Sequence, residues 1–210
     1  MSRRKRIWYP GAIYHVMNRG NRRTNLFKET SDYLRFLDCI SEAKKSYEFT
    51  IHAICLMTNH FHIEIETAQT ELWKIMQKIL HPYSMDFNHK YNFTGHLFES
   101  RYTACLIEDE RYFLEVSRYI HLNPVKAKIV SDPVNYEYSS YGMYVGNAAT
   151  IKPVSTNKLI TDIVDTSRVL SYFLHDPQEQ YRTFVNEKSS HADHESQIQK
   201  EMKENDMWLP

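Results

Sequence analysis

An α+β fold follows from three features of this 210-residue sequence: short segments whose apolar residues recur every second position, longer ones with recurrence at three and four, and the order in which the two alternate. The first strand is read over residues 12–18 (AIYHVMN), closed by RGN, where Gly20 permits the turn. Residues 30–48 read as a helix, with Thr30 or Ser31 as its cap and Leu34, Leu37, Cys39, Ile40 and Ala43 as its apolar side. Two strands follow, over 49–57 and 60–67, joined by a tight turn at Thr58 and Asn59. The first of the two is apolar almost throughout, so cover on both faces is expected. A second helix over 70–91 presents Leu72, Ile75, Met76, Ile79 and Leu80, with Pro82 as a point of kinking or restart. Residues 101–108 (RYTACLIE) complete the order βαββαβ. That order is the split βαβ of the ferredoxin-like fold, an antiparallel four-stranded sheet with both helices on one face.

Composition limits what such a fold can be used for. With 42% hydrophobic residues the chain can bury one good core. No apolar run approaches the roughly 18 residues of a membrane span, and MSRRKRIWYPG lacks the apolar stretch of a secretory leader, so a cytoplasmic protein is expected. Cys39, Cys55 and Cys105 lie in apolar contexts without zinc-knuckle spacing and read as core thiols. A formal net charge of zero conceals an asymmetry: residues 1–130 hold 19 Lys and Arg against 14 Asp and Glu, and residues 131–210 hold 7 against 12. The first 23 residues contain Arg3, Arg4, Lys5, Arg6, Arg19, Arg22 and Arg23 and no acid, which suits a polyanion whose counterions are displaced on binding. A solvated terminal tail is an equal reading of RRKR alone. Aromatics beside cations, Trp8 and Tyr9 after RRKR and Tyr102 after Arg101, could stack on unpaired bases, although each taken singly is more often packing.

The chemistry is carried by TNHFHIEIE, residues 58–66. Strand alternation sends Phe61, Ile63 and Ile65 under the helices, and His60, His62, Glu64 and Glu66 to the uncovered face. Two neutral imidazoles side by side can share a divalent cation. Ordinary alternation with one solvated face is the commoner meaning of an isolated H-x-H. The segment after the fourth strand, EDERYFLEVSRYIHLNPVKAKIV, alters that balance. Acids at Glu108 to Glu110 start a helix, and Phe113, Val116 and Ile120 form an apolar stripe suited to the vacant sheet face. Tyr112, Tyr119 and Asn123 fall on one side of it and would look toward the histidines. Asn123, preceding Pro124, is equally a good cap for a further short helix.

The stretches YHVMNRGNRRTNLF, LMTNHFHIEIE, GHLFESRYTACLIEDERYFLEVSRYIHLNPVKAKIV and YEYSSYGMYVG, in that order and spacing, resemble the single-tyrosine HUH transposases. This is the IS200/IS605-like transposase family, and the likeness is to its REP-associated tyrosine transposase branch, over about residues 13–146. Thr58 stands where the family commonly has Pro. The resemblance implies that His60 and His62 bind a metal, that Asn123 supplies a third, amide ligand, and that Tyr119 is the nucleophile. It implies Mg²⁺ or Mn²⁺ as cofactor, single-stranded or hairpin DNA as partner, and a monomer or homodimer. Arg19, Gly20 and Asn21 match a family motif, and Arg19 and Asn21 join Arg3, Arg4, Lys5, Arg6, Arg22, Arg23 and Arg101 as expected DNA contacts. Residues 165–188 resemble a helical extension found in some members. The expected organisation is a transposase domain over 1–146 with a basic arm, a small helical extension over 147–188, and a polar tail over 189–210.

Chemistry supports these roles. An ordinary phenol ionises near about pH 10 and is a weak nucleophile at neutrality, so it needs a partner that stabilises developing negative charge. A cation held by two imidazoles and an amide oxygen meets that need. The expected reaction is cleavage and rejoining of a DNA strand through a 5′-phosphotyrosine. A DNA-binding regulator descended from such an enzyme, or a phosphodiesterase using water, are the alternatives.

Overall fold

Four strands, β1 (Ile13–Arg19), β2 (Phe49–Leu56), β3 (His60–Thr67) and β4 (Thr103–Ile107), form one antiparallel sheet in the spatial order β2-β3-β1-β4. The helices α1 (Thr30–Ser46) and α2 (Leu72–Lys90) cross from β1 to β2 and from β3 to β4, giving the ferredoxin-like α+β arrangement. The structure is a computed structural model describing residues 7–146, 154–187, Ser196, Ile198 and Lys200. Arg3, Arg4, Lys5 and Arg6 of the basic arm, and nearly all of the polar tail, lie outside the described residues.

One core lies between the sheet and the first two helices. It contains Phe61, Ile63 and Ile65 of β3 with Phe36, Leu37 and Ile40 of α1 and Ile75, Met76 and Ile79 of α2. Tyr33 and Phe36 turn into this core, whereas Leu34 is only half-buried. The cap of α1 is Glu29 and not Thr30 or Ser31, because the Asp32 carboxylate accepts the Glu29 backbone N–H at 3.1 Å and that of Lys28 at 2.8 Å. Pro82 does not restart the helix: α2 runs unbroken through it to Lys90. The next residue, Tyr83, donates its hydroxyl to the Leu26 carbonyl and ties the helix to the loop ahead of α1.

The opposite face of the sheet is not left wet. Helix α3 (Glu110–Lys126) lies across β2 and β3, starting where the Asp109 carboxylate accepts the Tyr112 N–H at 2.7 Å. Phe113, Val116 and Ile120 form its buried stripe, as their spacing predicts, and they join Ala53 and Cys55 of β2 and Ile13 of β1 in a second core. The short helices α4 (Tyr141–Tyr144), α5 (Val154–Ile163), α6 (Ser167–Leu170) and α7 (Pro177–Asn186) close around the two layers. Tyr144 donates to the His52 carbonyl at 2.5 Å, and Asp165, just past α5, receives the β2 strand's Ile51 carbonyl on its N–H at 2.9 Å. From α7, Tyr181 reaches His121 of α3 at 2.7 Å. All three cysteines are buried thiols outside any disulfide. No helix among the described residues is long and apolar enough to cross a membrane.

The turn after β1 is tighter than its sequence suggests. Gly20 has φ −62°, which any residue adopts, and the left-handed positions are Arg22 (φ 50°) and Arg23 (φ 61°). Glycine is required by close approach instead: a Cβ there would sit 2.1 Å from the Thr24 carbonyl oxygen. Gly20→Ala is therefore expected to lower stability by about 1–3 kcal/mol, read as a shifted urea midpoint at unchanged slope, because a backbone atom must move to admit the methyl.

Candidate active site

The β1–β3 register aligns Arg19 with His60, Met17 with His62 and His15 with Glu64. His60 begins β3 and is half-buried at the sheet end; His62, two residues in, is 2% exposed. Their rings lie 5.1 Å apart, centre to centre, and nearly perpendicular. From α3 the Tyr119 ring comes within 5.6 Å of the His62 ring, at 85° to it, and is itself 9% exposed. The convergence of these three side chains follows from placing a helix with Tyr119 on its sheet-facing side over a strand that turns His60 and His62 upward.

Hydrogen bonds decide which ring atoms remain available. His60 Nδ1 lies 2.7 Å from Asn59 Oδ1, an acceptor, so Nδ1 carries the proton and Nε2 keeps its lone pair. His62 Nδ1 lies 3.0 Å from Nε2 of His15, an imidazole that can donate or accept, so this contact engages Nδ1 without by itself fixing which His62 nitrogen is protonated. Burial pushes the His60 imidazole down to about 4, aided by the Arg19 charge. Burial, with the His60, His15 and Lys126 charges, pushes His62 well below the ordinary histidine range. Both rings are thus neutral at pH 7, the form that ligates metal. No group of three His, Cys, Asp or Glu side chains disposed to hold a metal occurs among the described residues.

Asn123 does not cap a separate helix. Helix α3 continues through Pro124 to Lys126, and Asn123 Nδ2 donates to the Tyr119 carbonyl at 2.8 Å, leaving its amide oxygen as the uncommitted end. Lys126, seven residues beyond Tyr119, holds its ammonium 4.4 Å from the Tyr119 ring centre.

The basic residues divide by location. Arg19 lies opposite His60 and pairs with Glu99 at 2.6 Å. Asn21 to Arg23 form an exposed 3₁₀ turn beside it, stitched to the β2–β3 turn by Gly20 N–H to Asn59 O at 2.9 Å. Exposed Arg101 precedes β4 at this same end, since Thr103 pairs with Met17. Two of the aromatics expected to stack on bases are engaged in packing. Trp8 donates to Thr67 Oγ1 at 3.2 Å, at the far end of β3, and the Tyr102 ring is buried.

His15 is the residue that reading the sequence overlooked. Alternation along β1 puts Ile13, His15 and Met17 on one face, and the ferredoxin-like order makes β1 the neighbour of β3, so its place beside His62 was derivable.

With this geometry in hand the family is clear. The IS200-like transposase model matches residues 9–123, more than half of the chain, which belongs to that family of transposases. Among solved structures it is similar to a REP-associated tyrosine transposase bound to a REP hairpin, at 21% identity and TM-score 0.59, over 74% of this chain and 90% of that one. A candidate transposase from Deinococcus radiodurans R1 aligns at 16% identity and TM-score 0.39, over 57% and 95% of the two chains. No curated protein matches the sequence.

The buried imidazoles predict acid sensitivity. Burial lowers His15 to about 4 and His121 to about 3, and it lowers His52 as well as His60 and His62. A depressed native value means that the unfolded chain binds the extra protons, so this stability is complete above pH 6.5 and is lost as the pH falls toward 4. Buried Glu64, raised well above its usual 4.5, acts in the opposite sense as pH rises, but it is one group against five. Urea midpoints in EDTA should fall steeply as the pH is lowered from 6.5 toward 4, each histidine contributing up to about 1.4 kcal/mol per pH unit.

Proposed function

We propose that this transposase cleaves and rejoins single-stranded or hairpin DNA by forming a 5′-phosphotyrosine at Tyr119, with a divalent metal held by His60, His62 and the Asn123 amide oxygen. The observation that carries the reading is the Tyr119 ring standing 5.6 Å from the His62 ring within one chain. The donor set fits Mg²⁺ or Mn²⁺: two neutral nitrogens with lone pairs free and one amide oxygen leave coordination positions for a phosphate, and the nitrogens tilt preference to Mn²⁺. When bound, such a cation polarises the scissile phosphate as a Lewis acid.

The chain's own residues then have separable tasks. Tyr119 Oη attacks phosphorus and gives up its proton; the bond to the 3′ oxygen breaks, and that oxygen leaves as a hydroxyl. The phosphodiester is exchanged and not hydrolysed, so attack by another 3′ hydroxyl reverses the step and joins strands without ATP. Lys126 brings positive charge beside the nucleophile. Arg19, Arg22, Arg23 and Arg101, with Asn21, rim the His60 end of the sheet and are suited to the phosphates of an incoming strand. Two consecutive arginines with positive φ each cost about 1–2 kcal/mol, strain that is reasonable in a loop shaped to meet a ligand. The basic arm, Arg3 to Arg6, is an additional candidate contact. Because His60, His62 and Tyr119 converge within one chain, a monomer can carry the site and a homodimer is not required for it. The likeness to a REP-associated transposase carrying a REP hairpin favours hairpin DNA as substrate.

The test is incubation with a labelled pool of hairpins of randomised flank and loop in Mn²⁺, followed by denaturing electrophoresis. A covalent protein–DNA adduct is expected, absent in Tyr119→Phe and in His60→Ala. Cleavage persisting in Tyr119→Phe would instead identify a water-using phosphodiesterase, and hairpin binding with no cleavage by the wild type would identify a regulator.

A further inference from the structure

The side of β3 that faces α3 carries four polar residues, and three of them have partners. His60 bonds Asn59, His62 bonds His15, and Glu66 bonds both His52, at 2.8 Å, and Arg168, at 2.6 Å. The fourth, Glu64, is fully buried with neither carboxyl oxygen hydrogen-bonded. Directly opposite it across the ladder is His15, also buried, whose Nδ1 has no hydrogen-bond partner either.

The tautomers follow from what the two metal-facing rings must do. For His60 the acceptor Asn59 Oδ1 settles which nitrogen is protonated. For His62 the partner is another imidazole, which can donate or accept. If His15 donated through Nε2, His62 Nδ1 would be the acceptor and its proton would sit on Nε2, the atom needed for the metal. If His15 accepts, His62 Nε2 is left as a lone pair. In that case the His15 proton lies on Nδ1, which has no partner and calls for an acceptor; the Glu64 carboxyl, opposite His15 in the register and equally unpaired, is the nearest candidate along the ladder. The His15 and His62 rings stack 5.2 Å apart at 25°, and His15 lies edge-on to Tyr119 at 5.8 Å, so one ring abuts both the ligand and the nucleophile.

We propose that His15 is a positioning residue of the site: it accepts a hydrogen bond from His62 Nδ1, fixing His62 in the tautomer and orientation that present Nε2 to the metal, and Glu64 backs it from the adjoining strand. The inference rests on the metal-dependent reading above and extends it to two residues outside the ligand set. Partners of this kind typically govern metal affinity by about 10–100-fold.

Two measurements on the full-length protein test it. In metal-free, ¹⁵N-labelled protein, long-range ¹H–¹⁵N correlations should show His62 protonated at Nδ1, with mixed tautomers in His15→Phe. Protonation at Nε2 in the wild type overturns the proposal. Mn²⁺ titration followed by electron paramagnetic resonance should show binding weakened about 10–100-fold in His15→Phe. His15→Gln, whose amide oxygen can accept the same proton, should recover most of the affinity, which a purely space-filling role would not produce. If His15→Phe fails to fold, the wild-type tautomer and the His15→Gln affinity still decide. Equal Mn²⁺ affinity in wild type and His15→Phe overturns the inference alone, whereas a wild type that binds no Mn²⁺ overturns the metal reading and this inference with it.

Discussion

The packing of α3 across the polar face of the sheet is the constraint on which the site depends. A ferredoxin-like sheet with two helices on one side leaves its other side to solvent, where histidines on β3 would titrate freely and meet no nucleophile. Helix α3 brings Phe113, Val116 and Ile120 onto that side, and the apolar contact they make draws Tyr119 down to His62. Burial then keeps the imidazoles neutral, because charging them would forfeit hydration that the protein does not replace. One packing event thus positions Tyr119, the proposed nucleophile, and fixes the protonation state of the histidines beside it.

Covering a polar face has a cost, met by pairing nearly every group on it. His121 illustrates the arrangement: buried within α3, it bonds Tyr181 of α7 at 2.7 Å and Ser140 at 2.8 Å, and Ser140 in turn holds the Ile54 N–H at 3.0 Å. Residues well beyond the family match, which ends at Asn123, are therefore part of what holds α3 on the sheet. The described helices after residue 154 act here as structural support and not as an appendage. Glu64 and the Nδ1 atoms of His15 and His52 are left without hydrogen bonds on or beside this face.

Access to the site is from one end. His60 is half-buried there, opposite Arg19, and the Gly20 turn binds the arginine loop to the β2–β3 turn through backbone bonds. Cations and candidate ligands are thereby held on one rigid framework, which suits recognition of a phosphate backbone beside a reacting bond.

The sequence by itself determined the strand and helix order, the face on which His60 and His62 project, and the spacing that sets Tyr119 and Asn123 on one helix side, because these follow from periods of 2 and 3.6 residues that local geometry imposes. Only the tertiary structure decided how deeply the histidine face is buried, that α1 is capped by Glu29, that Pro82 and Pro124 lie within continuous helices, and that the Tyr102 ring is buried. The strand order puts His15 beside His62, but the 3.0 Å contact between their ring nitrogens, across 47 residues of sequence, was set by how the side chains pack. Such outcomes depend on which segments meet across the fold, and no local pattern encodes a contact whose energy arises only when two distant surfaces exclude water from each other.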